Sequence, residues 1–460
     1  MSEQKRQFRP RADEDGGYLW RFKDIPKTIE RDGQREANPL RQSAVFVVHG
    51  FGEQDDLDTA ILLRDGFEDA IDQLRALHGL EKVPVPFTSE GYWGNYDNLE
   101  QTFPDEWAQF NTREQAFFSG LWKRRTSSAL RTFFWFMGQM LRLVFDPSVV
   151  KKAGPLRGLT YWGMAGLGCA SLVYMLVRHP KMVATVLGDV RLYLAPRGDI
   201  EKAIVQRIDF RIGEKFLSLL GLGWDFRALP DHKGIMVDGS VQVFSHVTWI
   251  AHSLGSVISY NVISDLLARC QELRAKMDKP MEAFTFHEQA LQKNIEKVEQ
   301  GLHRFVTIGS PLEKIAFLFP GVLRPWPESH LQKFAQDNNR SWWINFFHIW
   351  DPVSGRLGNP AYFGAARNAH GRLWRAPLWA HVSYWQDKKI LTYMITRAYG
   401  AKTLKVPPIS FITERRAEVY RWLSLTFCFI VLCFAVKYWD RLWPVVWRWA
   451  TFLAKVIPGF

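Results

Sequence analysis

Four cysteines in 460 residues, Cys169, Cys270, Cys428 and Cys433, are too few and too scattered for a disulfide framework, and they suit a reducing compartment. The first residues, MSEQKRQFRPRADEDGG, contain no apolar stretch, which argues against a secretory leader and for a main body on the cytoplasmic side. Zinc-ligand spacings, RNP-like strands and helix-turn-helix patterns are missing, so nucleic acid is not the expected partner despite a formal charge of +12. There are no internal repeats and no low-complexity tracts. What the chain has in quantity is aromatic: 33 Phe and 20 Trp, many beside Lys or Arg. That pairing suits a bilayer interface, where the indole is amphipathic and a cation meets lipid phosphate.

Hydrophobic residues make up 47% and charged ones 23%, enough apolar surface for a real core. Ser43 to Val48, SAVFVV, reads as a buried strand that stops at HGFGEQ (49–54). A helical pattern runs from about Leu57 to Leu80, and a second strand is expected within Val83–Asp97. The same alternation resumes with a helix near Ile200–Leu222, one strand over VQVFSHVTWIA (241–251), and further strands at RFVTIGSPL (304–312) and WWINFFHIWDPV (342–353). Strand, helix, strand in succession predicts an α/β fold around a mostly parallel sheet flanked by helices.

Three runs break this pattern. Ala129–Phe145 is apolar, aromatic and basic; Leu159–Val177 carries no charge over 19 residues; Trp422–Val436 is an uncharged 15-residue run followed by Trp and Arg. At ~1.5 Å per residue the second could cross a ~30 Å hydrocarbon core. The others are short for that and suit the membrane surface. The expected organisation is a flexible segment 1–40, an α/β domain in two parts (41–120 and 182–410), an apolar helical insertion 121–181 forming a cap or membrane hairpin, and a hydrophobic, basic tail 411–460.

The chemistry centres on WIAHSLGSVISY (249–260). A strand that turns into a helix through small-x-Ser-x-Gly holds a serine oxygen above the sheet edge, with small residues where strand and helix pass close together. Ala251 and Gly255 are those residues. Ser253 alone reads equally well as a helix N-cap. Other segments favour the nucleophile. The amide of Leu254, at the start of the helix, and the amide of Phe51, in the glycine-flexed HGFG loop, would make an oxyanion hole, while His49 braces that loop. Asp351 ends a strand, with Pro352 blocking its continuation, and is the candidate acid; Glu313 is its rival. His381, in HVSYW, is the candidate base, with His370 and His348 as competitors.

These segments together, HGFGEQ, AHSLGS (251–256), TIGSPLEK (307–314), WDPVS (350–354) and HVSYW (381–385), resemble the lipase and esterase type of the α/β-hydrolase family. The order Ser253, Asp351, His381 is that family's order; Ala251 stands where the first glycine is usual. The resemblance covers about 40–120 and 182–410, and implies an eight-stranded type of sheet, a Ser-His-Asp triad, no cofactor, and ester hydrolysis through an acyl-enzyme. An aromatic insertion beside such a site points to a lipid-like ester reached from an anionic membrane. Acyl transfer or thioester cleavage by the same triad, or a non-catalytic membrane scaffold keeping the fold, are the alternatives.

Overall fold

The computed structural model describes residues 28–31, 34–37, 41–50, 58–78, 85–91, 93, 190–196, 198–230, 234–237, 240–277, 284–319, 321–330, 342–348, 351, 353–370, 380–381 and 383–399. The insertion, the three apolar runs and Phe51 lie outside them. The chain divides into two compact units, Met1–Phe411 and Ile412–Phe460, and every element below belongs to the first.

In chain order the elements are β1 (Thr28–Arg31), β2 (Gln34–Ala37), β3 (Ser43–Val48), α1 (Asp58–His78), β4 (Phe87–Gly91), α2 (Gly198–Leu219), β5 (Ile235–Val237), β6 (Ser240–Gln242), β7 (His246–His252), α3 (Leu254–Lys276), α4 (Phe286–Gly301), β8 (Leu302–Ile308), α5 (Leu312–Leu318), β9 (Trp343–Phe347), α6 (Pro360–Phe363), β10 (Ala366–His370) and α7 (Lys388–Tyr399). A 3-10 turn, Ser383–Gln386, precedes α7. Six strands form one sheet in the order β10-β9-β8-β7-β3-β4, every neighbouring pair parallel. The resemblance implies eight; among the described residues the sheet has six.

Parallel strands covered by helices on both faces must be apolar on both, and they are. Phe46, Val48, Trp249, Ala251, Phe305 and Trp343 face one cluster with α2, α3, α4 and α5. Their alternates Val45, Val47, Ile250, Val306, Ile308 and Phe346 face the other, with α1 and α7. Burying side chains of this size contributes roughly 1.5–3 kcal/mol each before the entropy of ordering them is set against it. Five of the 20 Trp serve this core. Trp93, Trp249, Trp326, Trp342 and Trp343 are all buried, and each indole N–H donates inside the fold, to the His49 carbonyl, Ser259 Oγ, the Tyr260 and Leu302 carbonyls and Thr307 Oγ1 respectively.

Two expectations are corrected locally. Thr28–Arg31 and Gln34–Ala37 pair as an antiparallel hairpin within the segment expected to be flexible. The single strand expected over 241–251 is two: Ser240–Gln242 pairs with Ile235–Val237, and the sheet strand begins at His246. The break is imposed by the Gln42 carbonyl, which accepts from both Ser245 and His246 N–H and pulls the chain into register beside β3. Ala366–His370, where the sequence suggested no element, is the edge strand.

The strand order reverses between β3 and β7: β3 leads through α1 to β4 on one side, while β7 and its successors add on the other. At such a switch point the loops leaving the carboxyl ends diverge and open a crevice. Registers Val48↔Ala251 and His252↔Ile308 bring the ends of β3, β7 and β8 level there.

Candidate active site

Ser253 follows β7 directly and precedes α3 with φ 51° and ψ −128°, a positive-φ conformation that costs a residue with a Cβ roughly 1–3 kcal/mol. The bend is held from beneath. A Cβ on Gly255 would lie 2.1 Å from the His49 carbonyl oxygen, and one on Gly50 would lie 2.8 Å from Ser253 Cβ, so the β3 loop and the turn pack backbone to backbone. The Ser253 N–H donates to the Ile308 carbonyl at 3.1 Å, tying the turn to β8. Although Ser253 occupies the cap position, its hydroxyl makes no capping bond. It points elsewhere.

Its Oγ lies 2.9 Å from His381 Nε2, and His381 Nδ1 lies 2.9 Å from Asp351 Oδ2 and 3.1 Å from Oδ1. All three residues are buried: Ser253 and Asp351 are 1% exposed and His381 8%. The desolvation of Asp351 works against ionisation, but His381 and the donors around the carboxylate outweigh it, and the acid is held well below the usual carboxylate range. An ionised carboxylate only accepts, so Nδ1 carries the His381 proton and Nε2 presents its lone pair to the Ser253 hydroxyl. Asp351 Oδ1 also accepts from the Val353 and Ser354 N–H groups at 2.8 and 3.2 Å, and Oδ2 from the Tyr384 hydroxyl at 2.8 Å.

The sequence-level rivals have other work. His370 ends the edge strand β10, its ring 4.9 Å from that of Phe347. His348 stacks on Tyr384 at 4.3 Å and donates its backbone N–H to the Tyr384 hydroxyl. Glu313 accepts from the Gly358 and Asn359 N–H groups, while its neighbour Lys314 donates to the Val353 and Ser354 carbonyls. Together these two fix the loop that follows the acid. His49 stacks on Trp93 at 5.2 Å, and burial, partly offset by a backbone bond to Gly50, lowers its pKa to about 3. It is a neutral brace, as its place in the loop suggested.

Leu254 is the first residue of α3, where a helix leaves its amides without intrahelical acceptors. Phe51, the other expected donor, lies outside the described residues. Two side chains around Ser253, His381 and Asp351 carried no assignment in the sequence. His252 sits beside Ser253 with its ring 5.1 Å from that of His381, and its Nε2 lies 3.1 Å from the His381 carbonyl oxygen, which can only accept. Its pKa falls to about 3, mainly through burial and then through the neighbouring His381. Tyr384 is the other. The period-2 alternation of β7, which puts His252 on the face of Ile250, is the signal that could have flagged the histidine.

No protein-family model, curated protein or solved structure matches the chain.

Proposed function

We propose that the chain is a serine hydrolase of the α/β-hydrolase type that cleaves the carboxylic ester of a lipid-like substrate at a membrane. The observation carrying this reading is His381 bridging Ser253 and Asp351 at 2.9 Å on either side, with the serine on a strained bend at a helix N-terminus. The parallel sheet, the position of Ser253 directly after its strand β7 and the chain order of the three residues support the family resemblance.

In this reading the Ser253 hydroxyl passes its proton to His381 Nε2 as Oγ attacks the ester carbonyl carbon. Asp351 stabilises the imidazolium without taking its proton. The carbonyl oxygen becomes an oxyanion within reach of the Leu254 N–H, with Phe51 proposed as the second donor. Collapse of the intermediate breaks the carbon–alkoxide bond, and His381 returns the proton to the departing alcohol. A water then gives a proton to Nε2 while its oxygen attacks the acyl-enzyme, and a second collapse releases the acid and restores Ser253. Every proton in this sequence moves through His381 Nε2.

The lipid-like character of the substrate rests on the sequence: the aromatic, basic insertion between the two halves of the catalytic domain, the apolar tail and the +12 charge. Among the described residues no helix is long and apolar enough to cross a membrane. The test is ester turnover on a fractionated lipid extract, wild type against Ser253→Ala. Release of fatty acid by the wild type alone supports the reading. Equal release by both proteins, or none by either, overturns it.

A further inference from the structure

Tyr384 lies three residues past His381 on the turn Ser383–Gln386, fully buried, with its ring against His348. Its hydroxyl is saturated. It accepts the His348 N–H at 2.9 Å, and the Ser354 hydroxyl is 3.1 Å away. Its one proton goes to Asp351 Oδ2 at 2.8 Å. The carboxylate cannot donate, so that direction is fixed, and Ser354 must then donate to the phenol oxygen. Burial, reinforced by the charge of Asp351, raises the phenol pKa well above its ordinary value, so the hydroxyl stays a donor.

This arrangement links acid and base through one short stretch of chain. Asp351 comes from the loop after β9, and His381 from a segment thirty residues later. Residues 380–386 deliver the imidazole and, one turn further on, the group that grips the carboxylate the imidazole must meet. Oδ1 is held by its own loop, through the Val353 and Ser354 amides. Among the described residues Oδ2 accepts from His381 Nδ1 and the Tyr384 hydroxyl alone. A carboxylate fixed at one oxygen can still swing the other about it.

We infer that Tyr384 is a positioning residue of the proposed triad: its hydroxyl sets the plane of the Asp351 carboxylate so that Oδ2 faces His381 Nδ1. The inference rests on the hydrolase reading and goes beyond the three residues that carry it. Tyr384→Phe keeps the ring stacked on His348 and removes only the hydroxyl.

The experiment measures the rate at which a fluorophosphonate labels the full chain, resolved into the probe's binding constant and its limiting rate. Tyr260→Phe is the control, because it deletes another buried tyrosine hydroxyl, bonded to the Tyr362 carbonyl at 3.3 Å, well inside the core. Losing a hydrogen bond to a charged group predicts a limiting rate roughly ten- to a hundredfold lower for Tyr384→Phe, with probe binding unchanged and Tyr260→Phe at the wild-type rate. Equal rates for Tyr384→Phe and wild type would overturn the inference while the hydrolase reading stood. Equal slowing of both variants, or an unfolded Tyr384→Phe beside a folded Tyr260→Phe, would assign the hydroxyl to stability and overturn it too. A wild type that takes no label would overturn the hydrolase reading and this inference with it.

Discussion

Gly255 passes so close beneath His49 that an added Cβ would sit 2.1 Å from the His49 carbonyl oxygen and 2.6 Å from that of Val48. Both obstacles are backbone, so neither side chain repacking nor rotamer change can relieve them. Gly255→Ala must therefore push the β3 loop away from the nucleophile or fail to fold. The expected outcome is a loss of about 3 kcal/mol or more by urea denaturation, with fluorophosphonate labelling abolished in any folded fraction. A variant of wild-type stability and labelling would mean that the two turns do not meet.

The histidine assignment is separable from the fold. His381→Ala should lower ester turnover by about 10⁶-fold, since Ser253 then has no base. His370, on the edge strand, should tolerate alanine with activity within a few-fold of wild type. The reverse pattern in a steady-state assay would move the base to His370 and leave the reaction class intact.

How much of this was readable in the sequence follows from where each residue gets its signal. SAVFVV announces β3 because both faces of an inner parallel strand are apolar. ARNAH hides β10 because an edge strand buries little more than Ala369 and His370, and Asn368 serves the loop at Leu357 instead of the core. Ser253, Asp351 and His381 were legible because each falls where a strand or loop signal ends. Tyr384 was not: an aromatic in HVSYW carries no mark distinguishing a core ring from a carboxylate donor. The Trp content was read too uniformly as interfacial, because composition does not say that Trp249 or Trp343 finds an acceptor inside.

Stability should depend on pH with a sign set by buried histidines. His49 and His252 ordinarily titrate at 6.5 and are held at about 3 in the fold. His252 still shows part of its surface, but His381 and Trp385 crowd its ring and deny the charged form its water. As pH falls below 6.5 the unfolded chain binds these two protons first, so folding stability drops between about pH 6.5 and 3. Asp209, raised to about 6 by burial against the opposing effect of Arg324, acts in the other direction between its ordinary 3.8 and 6. Two protons against one leave a net loss on the order of 1 kcal/mol per pH unit on acidification through pH 6 to 5, and below that Glu299 and Asp351, both held under their ordinary values, add to the loss. Urea midpoints at pH 7 and 4.5 check this; a midpoint that is flat or rises at pH 4.5 would contradict the neutral burial of both rings.

Membrane association stands on the insertion and the tail, and it has its own test. The full-length chain should sediment with membranes at moderate salt and resist extraction without detergent. Recovery in the soluble pool would remove the lipid-surface part of the proposal and leave a soluble esterase.

The central claim is that Ser253 is a nucleophile activated by His381, and mass spectrometry of the fluorophosphonate-treated chain reads it most directly. The account predicts one adduct per chain, mapped to the peptide containing Ser253, absent in Ser253→Ala and formed far more slowly in His381→Ala. An adduct that persists in Ser253→Ala, or its complete absence from the wild type, would contradict it.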